Sequence, residues 1–111
     1  MLDTNLKHIE TTDQFRDVIE KNEKVMVCCG RMGPMCLPVY DTMEQLESKY
    51  PGVTFMDMAF DSPVAMQTIR ALPEVRNFQG LPFTVYFRNG KVVSATSSIQ
   101  TKAQVTTILD R

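Results

Sequence analysis

Residues 24–29, Lys24-Val25-Met26-Val27-Cys28-Cys29, lead directly into Gly30-Arg31-Met32-Gly33-Pro34. Beyond that loop Val39, Met43, Leu46 and Tyr50 recur at i, i+4, i+7 and i+11. The first segment is apolar and β-branched without polar alternation, the pattern of a strand covered on both faces. The second is rich in chain breakers, and the third marks one apolar face of a helix. Pro51-Gly52 ends that helix, and Val53 to Phe60 forms a second apolar run broken only by Thr54 and Asp57. Strand, loop, helix and strand make one βαβ unit, which places the chain among α/β folds with parallel pairing. Pro34 suits the first turn of the helix, where a missing N–H has no partner to lose. Pro38 then falls inside the helix and predicts a local kink.

Working outward, the same alternation continues on both sides. Leu6, His8 and Ile9 fit a short opening strand, and Thr11 with Gln14 forms a capping-box pattern before Phe15, Val18 and Ile19. That helix is expected to run to about Lys21. Downstream, Ser62 and Pro63 read as N-cap and first helical residue, with Ala65, Met66, Ile69 and Leu72 expected to face inward. Pro73 stops this helix, and Asn77 to Gly80 is a loop. Phe83 to Phe87 is a strand, Arg88-Asn89-Gly90-Lys91 a hairpin turn of the Asn-Gly type, and Val92-Val93 the returning strand. Thr101 and Gln104 repeat the capping box ahead of Val105, Ile108 and Leu109. The order β-α-β-α-β-α-β-β-α predicts a three-layer α/β sandwich with a mixed central sheet and flanking helices. No linker or repeat interrupts it, so residues 1–111 are expected to form a single domain.

Composition removes several classes of function. Twelve Lys and Arg stand against thirteen Asp and Glu in 111 residues, far from the positive surplus that phosphate neutralisation requires. No nucleic-acid partner is expected. No apolar run reaches the ~18–20 residues needed to span a bilayer, so no membrane partner is expected either. Met1-Leu2-Asp3-Thr4-Asn5 lacks the basic start and apolar core of a secretory signal, which makes a cytoplasmic location the expectation. Three cysteines give no even framework of disulfides, and one histidine, His8, leaves little scope for imidazole metal sites. No cofactor is expected.

Three local motifs in this order resemble the thioredoxin family over nearly the whole chain. Met32-Gly33-Pro34-Met35 lies between a buried strand and a helix, where that family carries a Cys-Gly-Pro-Cys redox site. Gly80-Leu81-Pro82-Phe83 is similar to the family's Gly-Ile-Pro-Thr segment, whose proline is cis. Tyr86-Phe87-Arg88-Asn89-Gly90-Lys91-Val92 resembles its Phe-Lys-Asn-Gly-Glu-Val hairpin. The resemblance implies a thioredoxin-like fold. The departures concern chemistry. Both redox positions hold methionine, and a thioether cannot ionise to the thiolate that attacks a disulfide. The tryptophan before the first redox position is Arg31, the buried acid below the site is Met26, and the Leu72 to Gln79 loop is longer than usual.

The sulfur that remains defines the candidate sites. Cys36 follows the Met-Gly-Pro-Met loop near a helix start, where unpaired amides and Arg31 favour an anion. Cys29, at the strand end, is its candidate resolving partner if the two Cα atoms come within about 7 Å. Cys28 and Cys29 are adjacent on one strand and point to opposite faces. Met32, Met35, Cys29 and Cys36 together are soft donors of the type that suits Cu(I). The resemblance implies that the segment at Leu81 and Pro82 offers backbone groups to an extended bound peptide, and together with the Met32, Gly33, Pro34 and Met35 loop this would leave a shallow apolar groove for a protein or peptide partner. The leading expectation is a binding or assembly module. The alternatives are a thiol-disulfide oxidoreductase acting through Cys36 and Cys29, and a Cu(I) carrier using Met32, Met35 and Cys36. Asp57, in an apolar strand, would on a functional reading be an acid of shifted pKa; it is expected instead to be paired or to reach solvent at a strand end, and His8 to be an ordinary histidine.

Overall fold

The computed structural model describes residues 2–111. The elements are β1 (Lys7–His8), α1 (Thr12–Lys21), β2 (Lys24–Gly30), α2 (Leu37–Leu46), β3 (Val53–Ala59), α3 (Pro63–Gln67), β4 (Phe83–Arg88), β5 (Lys91–Ser97) and α4 (Lys102–Leu109), with 3-10 turns at Ile69–Ala71 and Pro73–Asn77. The strands lie in the order β1-β3-β2-β4-β5. β3 pairs in parallel with β1 and β2, whereas β4 runs antiparallel to both β2 and β5. This is the mixed sheet the element order predicts.

Strand alternation divides the interior in two. Met26 and Cys28 of β2 and Val53 and Phe55 of β3 face a layer closed by Val39, Tyr40, Met43 and Leu46 of α2 and Val105 and Leu109 of α4. Val25, Val27 and Cys29 face the other layer, with Phe15 of α1 and Val64 and Ala65 of α3. Burying each large aliphatic side chain contributes about 1.5–3 kcal/mol, and β2, buried along nearly its whole length, is the centre of both layers. Register aligns one row across all five strands: His8, Asp57, Cys28, Thr84 and Thr96. Asp57, Cys28 and Thr84 make it a row of polar atoms through the buried centre of the sheet.

Several local expectations need correction. α2 begins at Leu37 rather than Pro34. The amides of Cys36 and Leu37 both bond to the Gly33 carbonyl at 3.1 Å, so Gly33 to Leu37 closes as a separate turn. Pro38 thereby occupies the first turn of the helix, where its missing N–H removes no bond and causes no kink. α3 is only five residues long, with Val64 and Ala65 buried; Met66, expected inside, is 56% exposed. β5 continues to Ser97, beyond the predicted Val92-Val93. Asn89 and Gly90 have φ of 53° and 80°, the left-handed pair that an Asn-Gly hairpin turn requires. Thr101 and Gln104 form the complete capping box. At Thr11 only half of it forms, because the Gln14 carboxamide accepts instead from the Glu10 amide at 2.8 Å. Among the described residues no helix is long and apolar enough to cross a membrane.

Candidate functional site

The segment joining β2 to α2 projects from the end of the sheet. Met32 is 41% exposed, Met35 44% and Leu37 40%, and Pro34 and Pro38 are exposed beside them. Several contacts anchor this apolar rim. The Asp3 amide donates to Met32 Sδ at 3.3 Å. Arg31 grips Asp61 with two nitrogens, at 2.6 and 2.8 Å, and the guanidinium holds the Asp61 carboxyl below its ordinary range. Arg31 and Arg70 both lie over the Phe60 ring, at 5.5 and 4.1 Å from its centre, which fixes the loop after β3 against the loop after β2.

The Leu81–Pro82 segment meets the same end of the sheet. Its peptide bond is cis, and the Ser98 amide bonds to both the Gly80 and Pro82 carbonyls, at 2.9 and 3.0 Å. Gly30 is where the pieces converge. A Cβ there would lie 2.7 Å from Tyr40 Oη, 2.8 Å from Cys36 Sγ and 3.1 Å from Pro82 Cβ. The end of β2, the start of α2 and the proline segment therefore approach as closely as a bare backbone permits. This brings Met32, Gly33, Pro34 and Met35 to the same end of the molecule as Leu81 and Pro82.

The thiols are placed differently from expectation. Cys36 is buried, 2% exposed, and its Sγ accepts the Arg31 amide at 3.4 Å. It caps α2 with its backbone and makes no side-chain cap bond. Cys36 shares its layer with Cys28, while Cys29 lies on the opposite face of the sheet. The two residues considered as a catalytic pair therefore lie in different layers of the core, and all three thiols are free. Position parity along β2 explains this: proximity to the loop favours Cys29, but only even-numbered residues face α2. Burial pushes the Cys29 thiol up to about 12, opposed by the Arg70 charge. Burial also drives Cys28 well up, opposed by the Thr84 hydroxyl, which donates to its sulfur at 3.7 Å. Of the candidate copper donors, Met32 and Met35 are exposed and Cys36 is buried. Among the described residues no cluster of three or more His, Cys, Asp or Glu is placed to hold a metal.

One further polar site centres on Asp57. Asp57 is paired, as expected, but in the middle of β3 and fully buried. The Thr4 hydroxyl donates to one carboxylate oxygen, and His8 Nδ1 lies 2.5 Å from the other. Burial raises the Asp57 pKa, with Thr4 and then His8 opposing. A buried carboxylate needs such partners, and the presence of a single histidine near the chain start was the available signal.

Neither a protein-family model nor a curated protein matches this sequence. Solved structures do match in shape. Mitochondrial thioredoxin 3 from Saccharomyces cerevisiae, in its oxidised form, superposes with a TM-score of 0.76 at 20% identity, covering 96% of this chain and 95% of that one. A mutant thioredoxin from Halobacterium salinarum gives 0.77 at 14% identity, covering 99% and 94%. A Plasmodium falciparum thioredoxin gives 0.75 at 19%, covering 95% and 97%.

Proposed function

We propose that this chain, which has the thioredoxin fold, is a docking module that holds an extended protein or peptide segment across the Met32-Gly33-Pro34-Met35 loop and the Leu81–Pro82 segment. The observation that carries this reading is the inversion of exposure at the site. The thioethers Met32 and Met35 stand outside with Leu37, whereas Cys36 is buried beneath them. Where the thioredoxin family carries a redox dithiol, this chain presents sulfur that can make contacts but cannot attack. Flexible, polarisable methionine side chains adapt to varied apolar partners. Half-buried Leu81, beside buried Pro82, supplies backbone groups for strand-like pairing.

The exchange reading through Cys36 and Cys29 is less well supported, because those residues belong to different core layers and both are buried. A cytoplasmic setting accompanies the proposal, since three free thiols suit a reducing compartment. The test is selection of extended peptides from a display library, followed by affinity measurement. Met32→Asp places a charge in the centre of the apolar rim and is expected to weaken selected peptides about tenfold or more, the loss of a contact worth about 1.4 kcal/mol or more. Undiminished affinity in that variant would remove the proposal.

A further inference from the structure

Beside the Met32 loop lies a cavity of about 190 Å3 whose walls include Ile9, Ala59 and Val64 and whose polar groups include His8, Asp57 and Glu10. It shares Leu2, Ala59 and Ser62 with a second cavity of about 350 Å3, which extends to Arg31, Met32 and Asp61. These shared residues set the two cavities side by side, and a path through both would run from the exposed rim to the buried acid. We infer that this path is a specificity pocket for a lysine side chain of the docked segment. The inference deepens the docking reading and, as a specificity pocket, rests on it.

Charge and shape both point to lysine. Among the described residues no lysine or arginine lines the inner cavity, while two carboxylates do. Two carboxylates, Asp57 and Glu10, set against a single imidazole, His8, give the inner cavity an acidic lining that favours a cation over an anion. Apolar walls suit a four-carbon stem that buries its methylenes and carries its charge at the tip. A planar guanidinium is a poorer match, because Thr4 and His8 already occupy one Asp57 oxygen each and no carboxylate edge is left for a two-point fork. At the mouth Arg31 does not repel the incoming ammonium, since Asp61 neutralises it through two bonds. Ser62 lines the path but is already engaged, donating to the Ala59 carbonyl and accepting the Ala65 amide.

The test uses the full chain, isotope-labelled for NMR, and Nα-acetyl-lysine N-methylamide as probe, with the norleucine and glutamate analogues as comparators. The lysine probe is expected to give saturable shifts at the His8 ring and the Ile9, Ala59 and Val64 signals, and the comparators none. Glu10→Gln, at an exposed position, is expected to weaken the probe about 2- to 5-fold. No saturable shift, equal shifts from norleucine, or unchanged affinity in Glu10→Gln would overturn the pocket. Display-selected peptides that dock through Met32 without enrichment of lysine would also overturn it and leave docking standing. Lysine binding by a chain on which no peptide docks would keep the cation site and remove the docking reading.

Discussion

Gly30→Ala tests the packing that sets the Met32 loop against the proline segment. The added methyl would lie 2.7 Å from Tyr40 Oη and 2.8 Å from Cys36 Sγ, well inside contact distance. Neither neighbour yields easily: Tyr40 is 1% exposed and Cys36 2%, and the Tyr40 hydroxyl is tied to the Arg31 carbonyl at 3.1 Å. Overpacking of this kind costs about 1–3 kcal/mol. Loss of glycine's freedom in the unfolded chain returns about 0.4–1 kcal/mol, leaving a net destabilisation of about 1–2 kcal/mol. For a chain of this length that corresponds to a fall of about 4–8 °C in Tm. Denaturant titration followed by far-ultraviolet circular dichroism measures it, with the m value unchanged. Tyr40→Phe removes the atom nearest the new methyl, so the double variant should be more stable than the sum of the singles by about 0.5 kcal/mol or more. A Gly30→Ala protein as stable as its parent, or strict additivity with Tyr40→Phe, would refute this account of the junction.

Other outcomes follow from the same geometry. Met35→Ser, at a 44% exposed position, should change stability by no more than about 0.5 kcal/mol while weakening display-selected peptides. Equilibrium denaturation and titration of one sample separate the two effects. Alkylation of native protein, followed by mass spectrometry, should find all three cysteines slower than a free thiol by about 100-fold or more, as for openings costing about 3 kcal/mol. Rapid Cys36 labelling would contradict its burial. Asp57 binds its proton more tightly in the folded chain than its ordinary value of 3.8 implies, so the folded state holds the excess proton and stability falls as pH rises through that window. The stability of the parent minus that of Asp57→Asn should therefore decline from pH 3.8 upward and level off above the folded pKa. A difference that rises with pH would reverse the sign of the burial effect.

Most of the fold was legible because its signals are local. The apolar run Val25 to Cys29, the Asn89-Gly90 turn and the Thr101–Gln104 cap each specify a backbone state within a few residues. Pro38 predicts a kink from sequence because a proline in the first helical turn and one in the interior differ only in where the helix starts. The Gly33 to Leu37 turn moved that start from Pro34 to Leu37. The helical period that predicts Met66 inside is one that its element, ending at Gln67, is too short to sustain. At the site, the loop and Pro82 were recognisable from their motifs, but the thiol arrangement was not. Whether Cys28 or Cys29 shares a layer with Cys36 depends on which face of the sheet α2 covers. The link between Asp57 and His8 spans 49 residues, and only the parallel pairing of β1 with β3 makes them neighbours.

The most direct measurement of the central claim is reductive cleavage of insulin disulfides by the purified chain with dithiothreitol as electron source. A site that exposes only thioethers should leave the rate at the level of dithiothreitol alone. Catalysed turnover that disappears in Cys36→Ser would contradict the account and assign the chain to thiol exchange.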